Sequence, residues 1–423
     1  MKKRILLIVS LLCALCLLSG CSMLNLSQME SMFRKESTVE PQNPMIFGTN
    51  DSDTVTISRS EYEKLEQFSE LAELIDVAEE VFYQDTDREK MIEYAAKGLM
   101  AALDDPYSFY YSPKEWEEMW EDDEGNYTGI GVLISANYET QLCTISRVFK
   151  GSPAEAVGVQ RGDLLYRVGE ELYVTADNLN EAVDIMRGEP GTDVDVTFLR
   201  NGEEITFTIT RQMVNVNQVE SKMLNDEVGY IALYQFAGEA EKEFEKDLND
   251  LIAEGAKGII MDLRDNPGGW VEQARYIADL FLDRGELCYL VYKNGEEDHT
   301  EYLTRNGKVD VQLVILMNEN SASSSEILCG ALQDRADATV VGTVSFGKGI
   351  VQAVNSVGKN GAGFQMTIAS YYTPNGNAVH KVGITPDVEC PIPEGDNGMY
   401  DFADLEKDVQ LNKALEVMME KLK

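Results

Sequence analysis

Val311-Gln-Leu-Val-Ile-Leu-Met317 runs through Asn318-Glu-Asn320 into Ser321-Ala-Ser-Ser-Ser-Glu-Ile327, and this junction decides how the chain is read. The first stretch is apolar except for Gln312 and predicts a buried strand. A helix starting near Ala322 would place a hydroxyl beside free backbone N–H groups and the positive end of a dipole. Downstream, Phe346-Gly-Lys-Gly-Ile-Val-Gln352 brings a lysine in the next loop. Taken together the two stretches read as a nucleophile and its base. Taken singly they read as a serine-rich helix cap and a glycine turn.

Strand and helix patterns alternate on both sides of the junction. Val228–Phe236, a helix over 239–254, Gly258–Leu263, a helix over 270–282, Leu287–Tyr292, Val311–Met317, a helix to about Gln333 and Thr339–Gly342 predict an α/β layer fold. The strand Gly258-Ile-Ile-Met-Asp-Leu263 ends in Arg264-Asp-Asn-Pro-Gly-Gly269. Gly268 and Gly269 at a strand-to-helix junction suit an oxyanion hole, because their N–H groups can face a site, and equally suit a structural turn.

Upstream lies a second unit, residues 127–212. It carries Tyr127-Thr-Gly-Ile-Gly-Val132, a strand over Cys143–Val148, Gly151-Ser-Pro153, Gly162-Asp-Leu-Leu165 and a helix over 176–187 capped by Thr175. Strands Asp193–Arg200 and Glu204–Arg211 follow, joined at Asn201-Gly202. In this order the features resemble a PDZ domain. The resemblance implies that Gly129, Ile130 and Gly131 form the loop that receives a peptide carboxylate. The peptide would add beside Val132–Ser135 and against Leu179, Val183 and Met186. The competing reading makes the glycines plain turns and the apolar helix positions core.

The N-terminus reads as an address. Lys2, Lys3 and Arg4 precede the apolar run Ile5–Leu18, which ends in Leu18-Ser-Gly-Cys21. The ending is similar to a bacterial lipoprotein signal, which implies lipidation of Cys21 and anchoring on the outer face of the cytoplasmic membrane. About 14 apolar residues fall short of the ~20 that span a bilayer, which weighs against an uncleaved anchor helix. Residues 1–21 are thus assigned to the signal and 22–56, polar with Pro41 and Pro44, to a tether. Capping boxes at Ser58-x-x-Glu61 and Thr86-x-x-Glu89, with apolar residues at helical spacing (Leu65, Phe68, Ala72, Ile75, then Ile92, Ala95, Leu99, Leu103), predict a helical hairpin closed by Asp105-Pro106, which fills residues 57–126 together with an aromatic, acidic connector. The α/β core is assigned to 213–392 and a C-terminal helical segment to 393–423.

Composition narrows the chemistry. A net charge of −38, from 74 acidic and 36 basic residues, repels nucleic-acid phosphates. Cys143, Cys288, Cys329 and Cys390 lie far apart and lack C-x-x-C spacing, so neither a zinc site nor a disulfide framework is indicated, and no metal is expected. His299 and His380 are the only histidines, in contexts that do not point to a Ser-His-Asp triad. Gly342-Thr-Val-Ser-Phe-Gly-Lys348 fits a phosphate-binding loop, but Gly349 stands where Ser or Thr should reach magnesium, and a strand pattern follows where a helix is needed.

The assembled motifs resemble the carboxyl-terminal processing peptidases, serine peptidases that join a PDZ domain to a ClpP/crotonase-like α/β core. They are Asp105-Pro-Tyr-Ser108, the PDZ glycines, Leu263-Arg-Asp-Asn-Pro-Gly-Gly269, Ser321-Ala-Ser-Ser-Ser-Glu-Ile327, Phe346-Gly-Lys-Gly349, Tyr371-Tyr-Thr-Pro374 and Gly383-Ile-Thr-Pro-Asp387. The resemblance implies Ser323 as nucleophile, Lys348 as general base and Gln352 as the residue that orients the lysine. The backbone N–H of Ser324 would complete the oxyanion hole with Gly268 or Gly269. It also implies protein substrates with free, apolar C-termini, gating by the PDZ domain, no cofactor, and in some members dimerisation through terminal helices.

Independently, a lysine base needs its pKa brought down from ~10.4, and Phe346, Ile350 and Val351 are apolar neighbours suited to desolvate it. Asp334 reads as structural, and Glu326 as a first-turn acid favoured by the helix dipole. A PDZ adaptor with an inactive core is the second reading, and a nucleotide hydrolase the third.

Overall fold

The computed structural model describes residues 56–423 except 124–125, 139, 301, 306–308, 397, 399 and 401, together with 23–24. The signal sequence with Cys21, and nearly all of the tether, lie outside the described residues. Contacts divide the described residues from 56 on into two units, one of 115–353 and 367–423, the other of 56–114 and 354–366.

In the smaller unit, helices α1 (Arg59–Glu66), α2 (Ser69–Val81) and α3 (Arg88–Ala101) are followed by strand β1 (Phe109–Tyr111), which pairs antiparallel with residues 363–365. The capping box at Ser58 is present, with Ser58 N–H on Glu61 at 2.8 Å. The expected box at Thr86 is replaced by a cap one residue later. Asp87 accepts the Lys90 N–H at 3.0 Å, and a carboxylate is the better acceptor at the positive end of a helix. The apolar stripe that predicts these helices is exposed at Leu65, Phe68 and Leu99, and within it only Ile75 is buried.

The larger unit opens with helix α4 (Pro113–Asp123) and strand β2 (Asn126–Gly129). The PDZ unit follows. It holds an antiparallel sheet of β3 (Val132–Asn137), β4 (Leu142–Val148), β5 (Leu164–Val168), β6 (Asp193–Arg200) and β7 (Glu203–Thr210) in that spatial order. Asn201 (φ 53°) and Gly202 (φ 83°) make the two-residue turn between β6 and β7, the backbone that Asn-Gly favours. Helices α5 (Pro153–Val157) and α6 (Leu179–Met186) complete the unit, the second preceded by a 3₁₀ turn at Ala176–Asn178. Strand β8 (Gln212–Asn215) pairs with β2 and leads into the core.

The core sheet has the order β9 (Val219–Met223), β10 (Val228–Leu233), β11 (Gly258–Asp262), β13 (Gln312–Met317), β14 (Thr339–Gly342) and β17 (Val388–Glu389). Only the β9–β10 pair is antiparallel. Every residue of β10 and β11 is buried, as parallel strands covered on both faces require. Helices α7 (Ala240–Glu254), α8 (Val271–Asp279) and α9 (Ser324–Arg335) are the crossovers, and α10 (Val409–Lys421) sets Leu411, Ala414 and Met418 into the core beneath the sheet. Strands β12 (Tyr289–Tyr292), β15 (Ile350–Val357) and β16 (Ala362–Tyr372) belong to a further sheet. The expected α/β core with a PDZ domain and helical ends is therefore the fold observed.

Candidate active site

The junction at Ser321–Ile327 is a strand-to-helix turn with Ser323 at its apex. Strand β13 ends at Met317, α9 begins at Ser324, and Ser323 holds φ 57° and ψ −118° between them. A β-substituted residue in that region carries strain of about 1–3 kcal/mol and persists only where its surroundings hold it. Those surroundings are specific. The Ser323 N–H donates to Glu326 Oε2 at 2.8 Å, the Ser323 carbonyl receives the Glu326 and Ile327 N–H groups, and Tyr371 Oη donates to it at 3.2 Å. Burial pushes the Tyr371 phenol well above its usual pKa, so it remains a donor.

The neighbouring hydroxyls tie this turn to the glycine loop after β11. Ser321 Oγ donates to the Leu263 carbonyl at 2.7 Å, Ser324 Oγ to the Gly269 carbonyl at 2.7 Å, and Ser325 Oγ to the Asn266 carbonyl at 2.9 Å. A Cβ on Gly268 would lie 2.8 Å from Ser323 Cβ and 3.0 Å from the Ser324 nitrogen, so only glycine allows the loop to come this close to the serine. Gly268 also has φ 105°. Its N–H donates to Asn266 Oδ1 at 2.9 Å, while Asn266 Nδ2 reaches the Leu233 carbonyl at 2.8 Å.

Lys348 enters from the loop before β15 and is 1% exposed. Lys348 lies two residues before β15, and Gln352 is the third residue of that strand. Gln352 is fully buried, with Nε2 on Thr367 Oγ1 at 3.1 Å and Oε1 unpartnered among the described residues. Of the expected desolvating neighbours, Ile350 and Val351 are buried, whereas Phe346 is 50% exposed. The reason is the alternation of residues 344–346. Ser345 turns inward to Glu326 and the Ile384 N–H, which forces Phe346 outward.

Glu326 is the residue the sequence reading undervalued. It is fully buried and accepts four bonds: Ser345 Oγ at 2.5 Å and the Gly347 N–H at 2.7 Å on Oε1, and the Ser323 and Lys348 N–H groups, both at 2.8 Å, on Oε2. One carboxylate oxygen thus fixes the main chain of the serine and of the lysine together. Burial raises its pKa, and the four donors pull the other way. A Ser-x-x-Glu spacing was visible in the sequence, but its partners at 345–348 were not.

The other candidates fall outside this cluster. Asp334 accepts the Asn375 N–H at 2.8 Å and is structural. His299 is exposed, with its ring nitrogens 2.6 Å from Glu286 and 3.3 Å from Glu297. The His380 main chain packs on Gly349, where a Cβ would meet its nitrogen at 2.1 Å. No group of three or more metal-ligating side chains occurs among the described residues.

In the PDZ unit, β3 is an edge strand that pairs, among the described residues, with β4 alone, and Val132, Leu179 and Val183 are half-buried against the unit's core. Ile130 is buried and accepts the Ala154 N–H, while Gly129 ends β2 and Gly131 (φ 87°) packs against Ser152. Arg147 of β4 leaves the PDZ unit and lies 3.5 Å over the Tyr234 ring of the core, with bonds to the Asn217 carbonyl at 2.6 Å and Glu220 at 3.3 Å.

Three family models match: peptidase family S41 over residues 227–390, a PDZ domain over 144–200, and the N-terminal domain of the activating protease CtpB over 27–114. The chain is 36% identical to a carboxyl-terminal-processing protease of Synechocystis over 336 residues, 77% of this chain and 76% of that one. It is 33% identical to the carboxy-terminal processing protease CtpA of Bacillus subtilis over 330 residues, 78% and 70% of the two chains. Among solved structures it resembles a photosystem II D1 C-terminal processing protease, with a TM-score of 0.53 and 26% identity over 82% of this chain and 90% of that one.

Proposed function

This chain belongs to peptidase family S41, as a carboxyl-terminal processing serine protease with a PDZ domain, and from that premise we propose that it cuts proteins selected by their C-terminal tails through a Ser323/Lys348 dyad. The observation that carries this reading is the Glu326 carboxylate, which holds the main chains of both residues on one oxygen. Lys348, in its neutral form, takes the Ser323 proton as the hydroxyl attacks a peptide carbonyl, then delivers it to the leaving amine, and water releases the acyl-enzyme. The buried Gln352 Oε1 has no partner among the described residues, and a small swing of the lysine would give the amine a neutral acceptor there in place of a carboxylate. The oxyanion donors are the Ser324 N–H with that of Gly268 or Gly269, and Gly268 must exchange its bond to Asn266 to take part.

The PDZ domain is the tail receptor in this proposal. The open edge of β3 accepts a strand, and Gly129–Val132 receives the terminal carboxylate. Gating runs through Arg147, which sits on the strand next to β3 and stacks on Tyr234 of the core. Amidating the C-terminus of a substrate with an apolar tail is expected to lower kcat/KM by about 10- to 100-fold, the worth of a charge-assisted hydrogen-bond set. Equal cleavage of the free acid and the amide would remove the PDZ from recognition.

Lipidation of Cys21 would hold the enzyme on the outer face of the membrane. Dimerisation fits the exposed apolar side chains of α1–α3, among them Tyr62, Leu65, Phe68, Leu74 and Leu99. A Cys21→Ser variant is expected to leave the membrane fraction and to scatter light at twice the chain mass. Retention on the membrane rejects the anchor, and a monomer mass rejects the dimer.

A further inference from the structure

Beyond the serine hydroxyls, the loop that carries Gly268 and Gly269 is held from two further sides. On the near side, Asp265, at φ 59°, donates its N–H to Asn318 Oδ1 at 2.9 Å and takes the Asn318 and Asn320 amides at 2.9 and 2.8 Å. On the far side Arg264 is clamped between two carboxylates. It contacts Asp262 through Nε at 3.0 Å and Nη2 at 2.6 Å, and Asp408 through Nη1 at 3.0 Å and Nη2 at 2.7 Å. Tyr230 Oη adds a bond to Asp262 at 2.7 Å, and Gln410 Oε1 accepts Arg264 Nη1 at 3.1 Å. The guanidinium fork is thereby filled.

Asp408 comes from the far end of the sequence. It is buried and is the N-cap of α10, with Oδ1 on the Gln410 and Leu411 N–H groups at 3.1 and 2.9 Å. The opposite end of α10 is fixed as well, since Lys421 Nζ donates to the Asp337 carbonyl at 2.6 Å. One carboxylate therefore does two unrelated tasks: it starts the C-terminal helix and completes the cage of the arginine two residues before Asn266. A cap alone needs no arginine, and Asn or Ser would serve equally. The double use ties docking of the helix to the conformation of the glycine loop.

We propose that Asp408 is a positioning residue for peptide cleavage: acting through Arg264, it keeps the Gly268–Gly269 loop at the nucleophile turn, so the site is assembled only when the C-terminal helix is docked. The inference rests on the reading of Ser323 as nucleophile with the glycine loop at its oxyanion. Misplacing such a loop by about 1 Å costs up to ~100-fold in rate without removing a catalytic group.

Asp408→Asn is the informative variant, because Asn is a good N-cap and the negative charge facing Arg264 is the main loss. Expected are a kcat lower by about 10- to 100-fold, KM within about twofold, and correspondingly slower labelling of Ser323 by a phosphonate probe. Near-UV circular dichroism should be native, and Asp408→Glu should recover part of kcat. An unchanged kcat, or a loss matched by the unfolded fraction, overturns the proposal. Should Asp408→Asn fail to fold, Gln410→Leu decides: it removes one acceptor of Arg264, and a kcat equal to wild type counts against the clamp. Ser323→Ala, run alongside, separates the two readings, because activity in that variant rejects the nucleophile assignment whatever the Asp408 variants do.

Discussion

Ser323→Ala and Lys348→Ala are each expected to lower kcat by about three to six orders of magnitude while leaving the circular dichroism spectrum native. The two act as one unit, so the double variant should be no slower than either single one. Stability is expected to change little in either variant, for different reasons. Alanine at 323 still has to hold φ 57°, and the bonds that impose it come from the main chain, Glu326 and Tyr371, so strain and support both persist. Alanine at 348 removes an amine that is 1% exposed, and deleting a buried ionisable group relieves its desolvation while opening a cavity. The thermal midpoint of Lys348→Ala should therefore stay close to that of wild type despite the lost volume. Residual cleavage above about 1% in either variant, on the same substrate and free of contaminating protease, would sink the dyad.

What was legible in the sequence follows from how local the cause was. Strands β11 and β13 were readable because a parallel strand buried on both faces is apolar throughout, and the β6–β7 turn because Asn-Gly states its backbone directly. The family, the fold class and the enzyme class were reached from motifs that each sit within a few residues. Exposure was not local. The apolar stripe of α1–α3 predicts a packed hairpin, but whether a stripe is covered depends on what lies opposite, and Leu65 and Phe68 are exposed. Phe346 was misplaced for the same reason, since Ser345 is drawn inward by a carboxylate 19 positions earlier. The Arg264–Asp408 pair spans 144 positions, and no spacing rule links its ends.

Glu326→Gln is expected to lower kcat by about 100-fold and to change stability by no more than about 2 kcal/mol, a split that a purely structural residue would not give. The wild-type carboxylate has four donors aimed at it and no acceptor. An amide keeps one oxygen, and whichever side it takes, its NH2 faces at least one N–H: that of Gly347 on the Oε1 side, or those of Ser323 and Lys348 on the Oε2 side. The main chain must then shift at Gly347, next to Lys348, or at Ser323 and Lys348 themselves, and either shift reaches the proposed chemistry. Against this, a neutral amide escapes the cost of burying a charge, which offsets the lost bonds in the stability balance.

The same balance fixes the sign with pH. Burial raises the Glu326 pKa above that of an exposed glutamate, so folding favours its protonated form. The contribution of this group to stability is present below the unfolded pKa and lost as pH rises through the folded one. Activity runs opposite, because only the ionised form accepts all four bonds. On acidification through the raised pKa, kcat should fall while the Glu326 contribution to stability rises. In Glu326→Gln that acidic limb of kcat should be absent. A variant that keeps wild-type kcat, or one that keeps the same acidic limb, would show that Glu326 caps the helix and nothing more.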